Sequence, residues 1–186
     1  MVRALLEGSM SIDGLTVDTE LRWHIIRSLA AAGMVGEEEI DAELQRDPSD
    51  RGNRHAASAR AAQPSPEAKA QAWRVIVEDT GQPLALIDEV MTAFQQFDQE
   101  EILEPYADRF FEALPRVWDA RDLSEALAFG RRMYPHLIVR DETIEKTDRY
   151  LETGRVPTPI RRLLLEGKDG IQRAMKARRA DAQAAR

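Results

Sequence analysis

Cysteine is absent from the 186 residues. That excludes a disulfide framework, thiolate metal sites and a cysteine nucleophile, and it fits a reducing, cytoplasmic setting. Aromatic residues make up only 6% of the chain, and β-branched runs are as short as Val75-Ile76-Val77 and Ile138-Val139. No Asn-Gly or Asp-Gly dipeptide joins two alternating segments, so no sheet is expected. No apolar stretch reaches the length that crosses a bilayer, and no membrane partner is expected. The first eight residues, Met1 to Gly8, lack a signal-peptide core and instead resemble the last turns of a helix closed by glycine. The expectation is a chain that starts inside a longer polypeptide.

What is present is helix-forming material. Hydrophobic residues make up 43% and charged residues 32% of the chain, with alanine, leucine, glutamate and arginine prominent. The net charge of −7 is uneven, because residues 155–186 carry a local +6 and leave −13 for the rest. A body of that sign repels a nucleic-acid backbone, so no nucleic-acid partner is expected. The basic end reads as a solvated terminal helix.

The chain divides into segments of helical period with capping residues before them and glycine or proline after them. Asp18 precedes the stripe Leu21, Ile25, Leu29 and Ala32, which stops at Gly33. A shorter segment from Glu37 to Gln45 ends at Asp47-Pro48, and residues 50–62 form an alanine-rich stretch suited to close helix approach. Ser65-Pro66 starts a helix with Ala70, Trp73 and Val77 inward; Gly81-Gln82-Pro83 is the next joint, followed by Leu84, Ile87, Met91 and Phe94. Asp98 with Glu101 reads as a capping box opening the stripe Leu103, Tyr106, Phe110 and Leu114, with Pro115 as its end or a kink. Asp122 with Glu125 reads as a second box, placing Leu123, Leu127, Gly130 and Tyr134 inward. Asp141 begins a weaker helix around Ile144 and Leu151, and Thr158-Pro159 begins the last, with Ile160, Leu164, Gly167, Ile171 and Ala174 on one face.

The fold class is therefore all-α, with about nine helices that form either a closed bundle or, the preferred arrangement, a solenoid of stacked antiparallel pairs. The expected organisation has three parts. Residues 1–17 are the end of a preceding helix and a linker, 18–175 the helical-repeat domain, and 176–186 a basic, fraying tail.

The sequence offers no set of residues that would carry chemistry. His24, His55 and His136 are isolated from one another, and no His-Glu-x-x-His places two imidazoles one helical turn apart. The acidic runs Glu37-Glu38-Glu39 and Asp98-Gln99-Glu100-Glu101 occupy first helical turns, where the helix dipole accounts for them. Gly167-Lys168-Asp169-Gly170 lacks the strand-to-helix context of a phosphate loop, and the serines lack a nucleophile-elbow setting. Trp23, Trp73, Tyr106, Phe110, Phe111 and Trp118 read as core. No catalytic, cofactor-binding or metal-ligating residue is assigned.

A set of ordered short runs nevertheless carries a resemblance. Leu21-Arg22-Trp23, Ala30-Ala31-Ala32-Gly33, Arg54-His55-Ala56, Ala59-Arg60-Ala61-Ala62, Pro66-Glu67-Ala68-Lys69 and Ala72-Trp73 are followed by Phe94-Gln95-Gln96, Leu103-Glu104-Pro105-Tyr106, Phe110-Phe111, Leu114-Pro115, Trp118 and Arg121, and finally by residues 161–167. Together they resemble the C-terminal domain of actinobacterial zinc aminopeptidases of the aminopeptidase N type, related to that of the endoplasmic-reticulum aminopeptidases. The resemblance implies a right-handed superhelix of HEAT- or armadillo-like antiparallel helix pairs, and a non-catalytic domain that caps an upstream thermolysin-like catalytic domain and limits peptide access to its active site. It also implies that zinc, the general base and the exopeptidase motif lie in that upstream domain. The expected partners are the catalytic domain and the peptide substrate. The alternative is a free-standing helical-repeat scaffold that binds a protein.

Overall fold

The computed structural model describes residues 2–79 and 81–184. Met1, Ala185 and Arg186, at the ends of the first and last expected segments, lie outside the described residues, as does Thr80. The described residues contain ten α-helices and no strand. They are α1 (Val2–Leu6), α2 (Thr19–Ala31), α3 (Glu37–Arg46), α4 (Asp50–Ala62), α5 (Pro66–Val77), α6 (Leu84–Phe94), α7 (Glu100–Ala120), α8 (Leu123–Arg132), α9 (Asp141–Glu152) and α10 (Thr158–Ala184). They sort into two compact units, Met1–Gln96 and Phe97–Arg186.

In the first unit the caps expected at Asp18 and Ser65 form, and Ser49 supplies a third that the sequence reading did not name. The Asp18 carboxylate accepts from the Leu21 amide at 2.9 Å, Ser49 from Gly52 at 3.0 Å and Ser65 from Ala68 at 3.1 Å. Each satisfies an amide that the first helical turn leaves without a partner. Gly33, at φ +67°, turns the chain out of α2 in the left-handed conformation that glycine adopts without steric cost. Helices α2, α4 and α6 lie side by side as one layer, while α3 and α5 connect and cover it. The middle helix of that layer is the alanine-rich one. Ala56, Ala59, Ala61 and Ala62 are all buried, and their small side chains let α2 and α6 approach its backbone from both sides. Trp23, Ile25, Ile26, Leu29 and Ile40 fill the space around them.

In the second unit α7 packs on α8 and α9, and α10 packs on the same two helices. Alternate helices thus stack on one another while sequential ones pair, the same scheme as in the first unit. The core is aromatic: the Phe110 and Phe129 rings stack at 5.5 Å, and Tyr134 meets Phe110 edge-on at 5.8 Å. Burying such rings contributes about 0.5–1.5 kcal/mol per pair beyond the area they remove from water.

Three local expectations are corrected here. Asp98 does not cap a helix: it adopts φ +61°, α7 begins two residues later, and its first turn has no side-chain cap. Pro115 does not end α7, which continues to Ala120 with both Pro105 and Pro115 inside it. Leu123 points outward at 59% exposure, because the inner face of α8 is set by Ala126, Phe129 and Gly130. Asp122 does cap, accepting from the Glu125 amide at 2.9 Å, while the Glu125 carboxylate lies 3.5 Å from Arg121. The apolar pattern fades beyond Lys176, yet α10 stays helical to Ala184 with its last turns exposed.

Candidate functional site

The three histidines lie in three different settings. His24 is exposed, 3.4 Å from Arg27. His55 stacks on Trp23 at 5.8 Å with its Nε2 3.5 Å from Glu20. His136 is exposed and places Nδ1 3.1 Å from the Tyr134 carbonyl. Among the described residues no three histidine, aspartate or glutamate side chains are grouped so as to hold a metal ion. No helix of the described residues is long and apolar enough to cross a membrane.

The surface features that could meet a ligand are recesses. In the first unit, α4, α5 and α6 enclose a hollow of about 270 Å³ with an apolar floor of Ala57, Ala61, Ala72, Val75, Leu86 and Val90. Arg60 stands at its edge, fixed by Glu37 through Nε at 2.7 Å and by a second ion pair to Asp41. Gln63, Gln71 and Gln82 complete the rim. In the same unit the side chain of Lys69, on α5, is fully buried. Its ammonium donates to the Ala61 carbonyl at 2.7 Å and the Phe94 carbonyl at 2.8 Å, and it lies 5.5 Å from the Phe94 ring. Burial lowers its pKa from 10.5 to about 7. Both acceptors belong to C-terminal helical turns, where carbonyls lack internal partners and the dipole is negative.

In the second unit two adjoining recesses share Tyr150 and Thr153. One, of about 400 Å³, is lined by Asp108, Phe111, Glu112, Lys146 and Arg149. The other, of about 480 Å³, is lined by Leu114, Pro115, Trp118, Asp119, Arg155 and Pro157. Lys146 pairs with Asp108 at 2.7 Å across the first recess. Burial raises the pKa of the Tyr150 phenol, helped by the Asp119 carboxylate. Phe111 and Trp118, expected in the core, are half-buried and line this trough instead.

Residues 1–173 match the profile of the ERAP1-like C-terminal domain. The chain belongs to that family. It is also 44% identical over 187 aligned residues to the aminopeptidase N of Streptomyces lividans, a match that covers all of this chain and 22% of that protein. The chain therefore spans about a fifth of the length of this curated relative. In this member of the ERAP1-like C-terminal domain family, sequence reasoning missed Lys69 as a structural centre. The available signal was its position four residues before Trp73, on the face that α5 buries. The trough of the second unit had no such signal, since its lining comes from α7, α9 and the 153–157 turn.

Proposed function

We propose that this chain is the non-catalytic C-terminal domain of a zinc-dependent aminopeptidase, capping the catalytic domain and controlling peptide access to its active site. One observation carries the reading. The ERAP1-like C-terminal domain profile matches almost the whole chain, and a protein called aminopeptidase N is similar along all of it while being several times longer. In this reading zinc and the peptide-cleaving residues belong to the upstream thermolysin-like domain, and this chain's own histidines do no chemistry. Residues 18–175 form the functional body, and the alternate stacking of helices in each unit supports a HEAT-like superhelix. The cysteine-free composition supports a cytoplasmic setting.

A helix array suits an access wall because each helix pair is held by its own core while the exposed sides of successive pairs form one continuous surface. The recesses that support contact with a peptide are, within the first unit, the apolar hollow edged by Arg60 and, within the second, the aromatic trough around Tyr150.

The test has two arms. The 186-residue chain, with and without zinc, is assayed on aminoacyl anilides, and no turnover is expected. The longer polypeptide is then compared with a version lacking this domain, using an anilide and peptides of increasing length. A change in length dependence with little change on the anilide is expected; metal-dependent turnover by the 186-residue chain, or an unaltered length profile, refutes the reading.

A further inference from the structure

The hollow between α4, α5 and α6 combines an apolar floor with two opposite charges held side by side at its edge. The floor takes Ala57 and Ala61 from α4, Ala72 and Val75 from α5, and Leu86 and Val90 from α6, all within the first unit. At about 270 Å³ the space falls just short of the range, about 300–1,000 Å³, that holds a drug-sized molecule. It suits a smaller guest that carries one apolar group.

Arg60 and Glu37 both line this hollow. The Arg60 Nε donates to Glu37 Oε2 at 2.7 Å, and Nη2 donates to Asp41. A guanidinium has five N–H groups and a carboxylate about four acceptor sites, so neither is exhausted by these bonds. Among the described residues Arg60 Nη1 and Glu37 Oε1 have no protein partner. Both side chains meet solvent, at 36% exposure for Arg60 and 58% for Glu37.

An occupant that engages this edge fully has to present an anion and a cation as close together as Arg60 and Glu37 are. An α-amino acid does so from one carbon atom. Its carboxylate accepts from Arg60 Nη1, its ammonium donates to Glu37 Oε1, and its side chain enters the hollow; both polar contacts are of the strong, charge-assisted kind. Other small ligands match less well. Two carboxylates, Glu37 and Asp41, against one guanidinium leave a net negative charge, which opposes a simple fatty acid, and a bare amine leaves Nη1 unused. A peptide lying over the hollow can use the floor, but brings only one of its charged ends to the edge.

We propose that this hollow binds a free α-amino acid with an apolar side chain, its carboxylate on Arg60 and its ammonium on Glu37. The claim concerns the first unit alone and is independent of the reading that the whole enzyme trims peptides.

The probe is L-leucine, titrated into the isotope-labelled 186-residue chain and followed by amide chemical shifts. Saturable shifts in α4, α5, α6 and the start of α3 are expected. N-acetyl-leucine, with the charge of a peptide's carboxy end alone, and leucinamide, with that of its amino end alone, should each bind about tenfold more weakly, the factor that one charge-assisted hydrogen bond supplies. Glycine, which has no apolar group, should not bind measurably. Arg60→Gln should weaken leucine by the same factor as the loss of its carboxylate, and Ala57→Leu, which fills the hollow with a good helix former, should abolish binding with the circular dichroism unchanged. The ligand series tests the claim on the unaltered chain. Absence of saturable shifts with leucine overturns the proposal, as does equal affinity for leucine and either of its blocked forms. Binding that is lost in the longer polypeptide also overturns it, since the hollow would then be the seat of a neighbouring segment. No peptidase activity is read, so this outcome and that of the access reading are separate.

Discussion

The Tyr134 ring lies against the backbone of Gly167, so close that a Cβ at position 167 would stand 2.6 Å from two ring carbons. The phenol end of the same ring reaches the Thr147 hydroxyl at 2.8 Å, and Thr147 in turn donates to the Thr143 carbonyl. One side chain thereby joins the end of α8 to both α9 and α10, and it fits only because α10 offers a glycine there.

Gly167→Ala is accordingly expected to destabilise the protein. Removing glycine from a helix interior contributes about 1 kcal/mol in favour of folding. Overpacking against a held ring costs about 1–3 kcal/mol. A net loss of about 1 kcal/mol is expected in urea unfolding, whereas Gly170→Ala, with open space around it, should gain stability.

Lys69 predicts a pH dependence with a definite sign. Its pKa is about 7 in the folded chain, against an ordinary value of 10.5. Between those values the unfolded chain holds a proton that the folded chain has released, so stability rises as pH increases from about 7 towards 10. The slope contributed by this group approaches about 1.4 kcal/mol per pH unit. Lys69→Met should remove that contribution. The buried Ala61 and Phe94 carbonyls also lose a donor, at a cost of about 1–3 kcal/mol each, so the loss of stability on substitution should be largest near pH 10, where the lysine carries no protonation penalty. Chemical denaturation at several pH values on the two proteins checks both.

Arg22 and Glu43 form a two-pronged ion pair, at 2.7 Å and 2.6 Å, with Glu43 almost wholly buried and a third arginine nitrogen holding the Leu6 carbonyl at 2.9 Å. Hydrogen bonding to the Glu43 carboxylate raises the Arg22 pKa further, so the guanidinium stays charged. Glu43→Ala is expected to cost about 3 kcal/mol, the low end for a broken buried pair, because Arg22 retains some solvent contact. Arg22→Met combined with Glu43→Leu should recover most of that loss. A double-mutant cycle on unfolding free energies measures the coupling.

Asp98 holds a left-handed backbone conformation, φ +61°, two residues before α7. Asp98→Val is expected to lower stability by about 1–2 kcal/mol, the cost of a Cβ-branched residue in that region, and Asp98→Gly to raise it slightly. The comparison is read from thermal midpoints.

How much was legible in the sequence differs by feature. The helices could be read because their signals are local: Asp18 and Ser65 need only an amide three residues on. Asp98 was misread, and of the two readings of Pro115, an end or a kink, the end is excluded. A residue that ordinarily stops a helix is carried through by the long buried face of α7, where Leu103, Tyr106, Phe110, Leu114 and Val117 all lie inside. The recesses were not legible because each takes its lining from several helices, and period within one helix says nothing about which neighbour it meets.

By itself, the sequence determined the helical class, many of the helix starts and the family resemblance. These follow from spacing and capping, which act over three to seven residues, or from runs matched in order. Only the tertiary structure decided that Lys69 would be buried between two helix ends, that Tyr134 would rest on Gly167 and that Trp118 would line a trough rather than fill the core. Those outcomes depend on contacts between residues up to several tens of positions apart, whose geometry is fixed by packing between helices rather than by any helix alone.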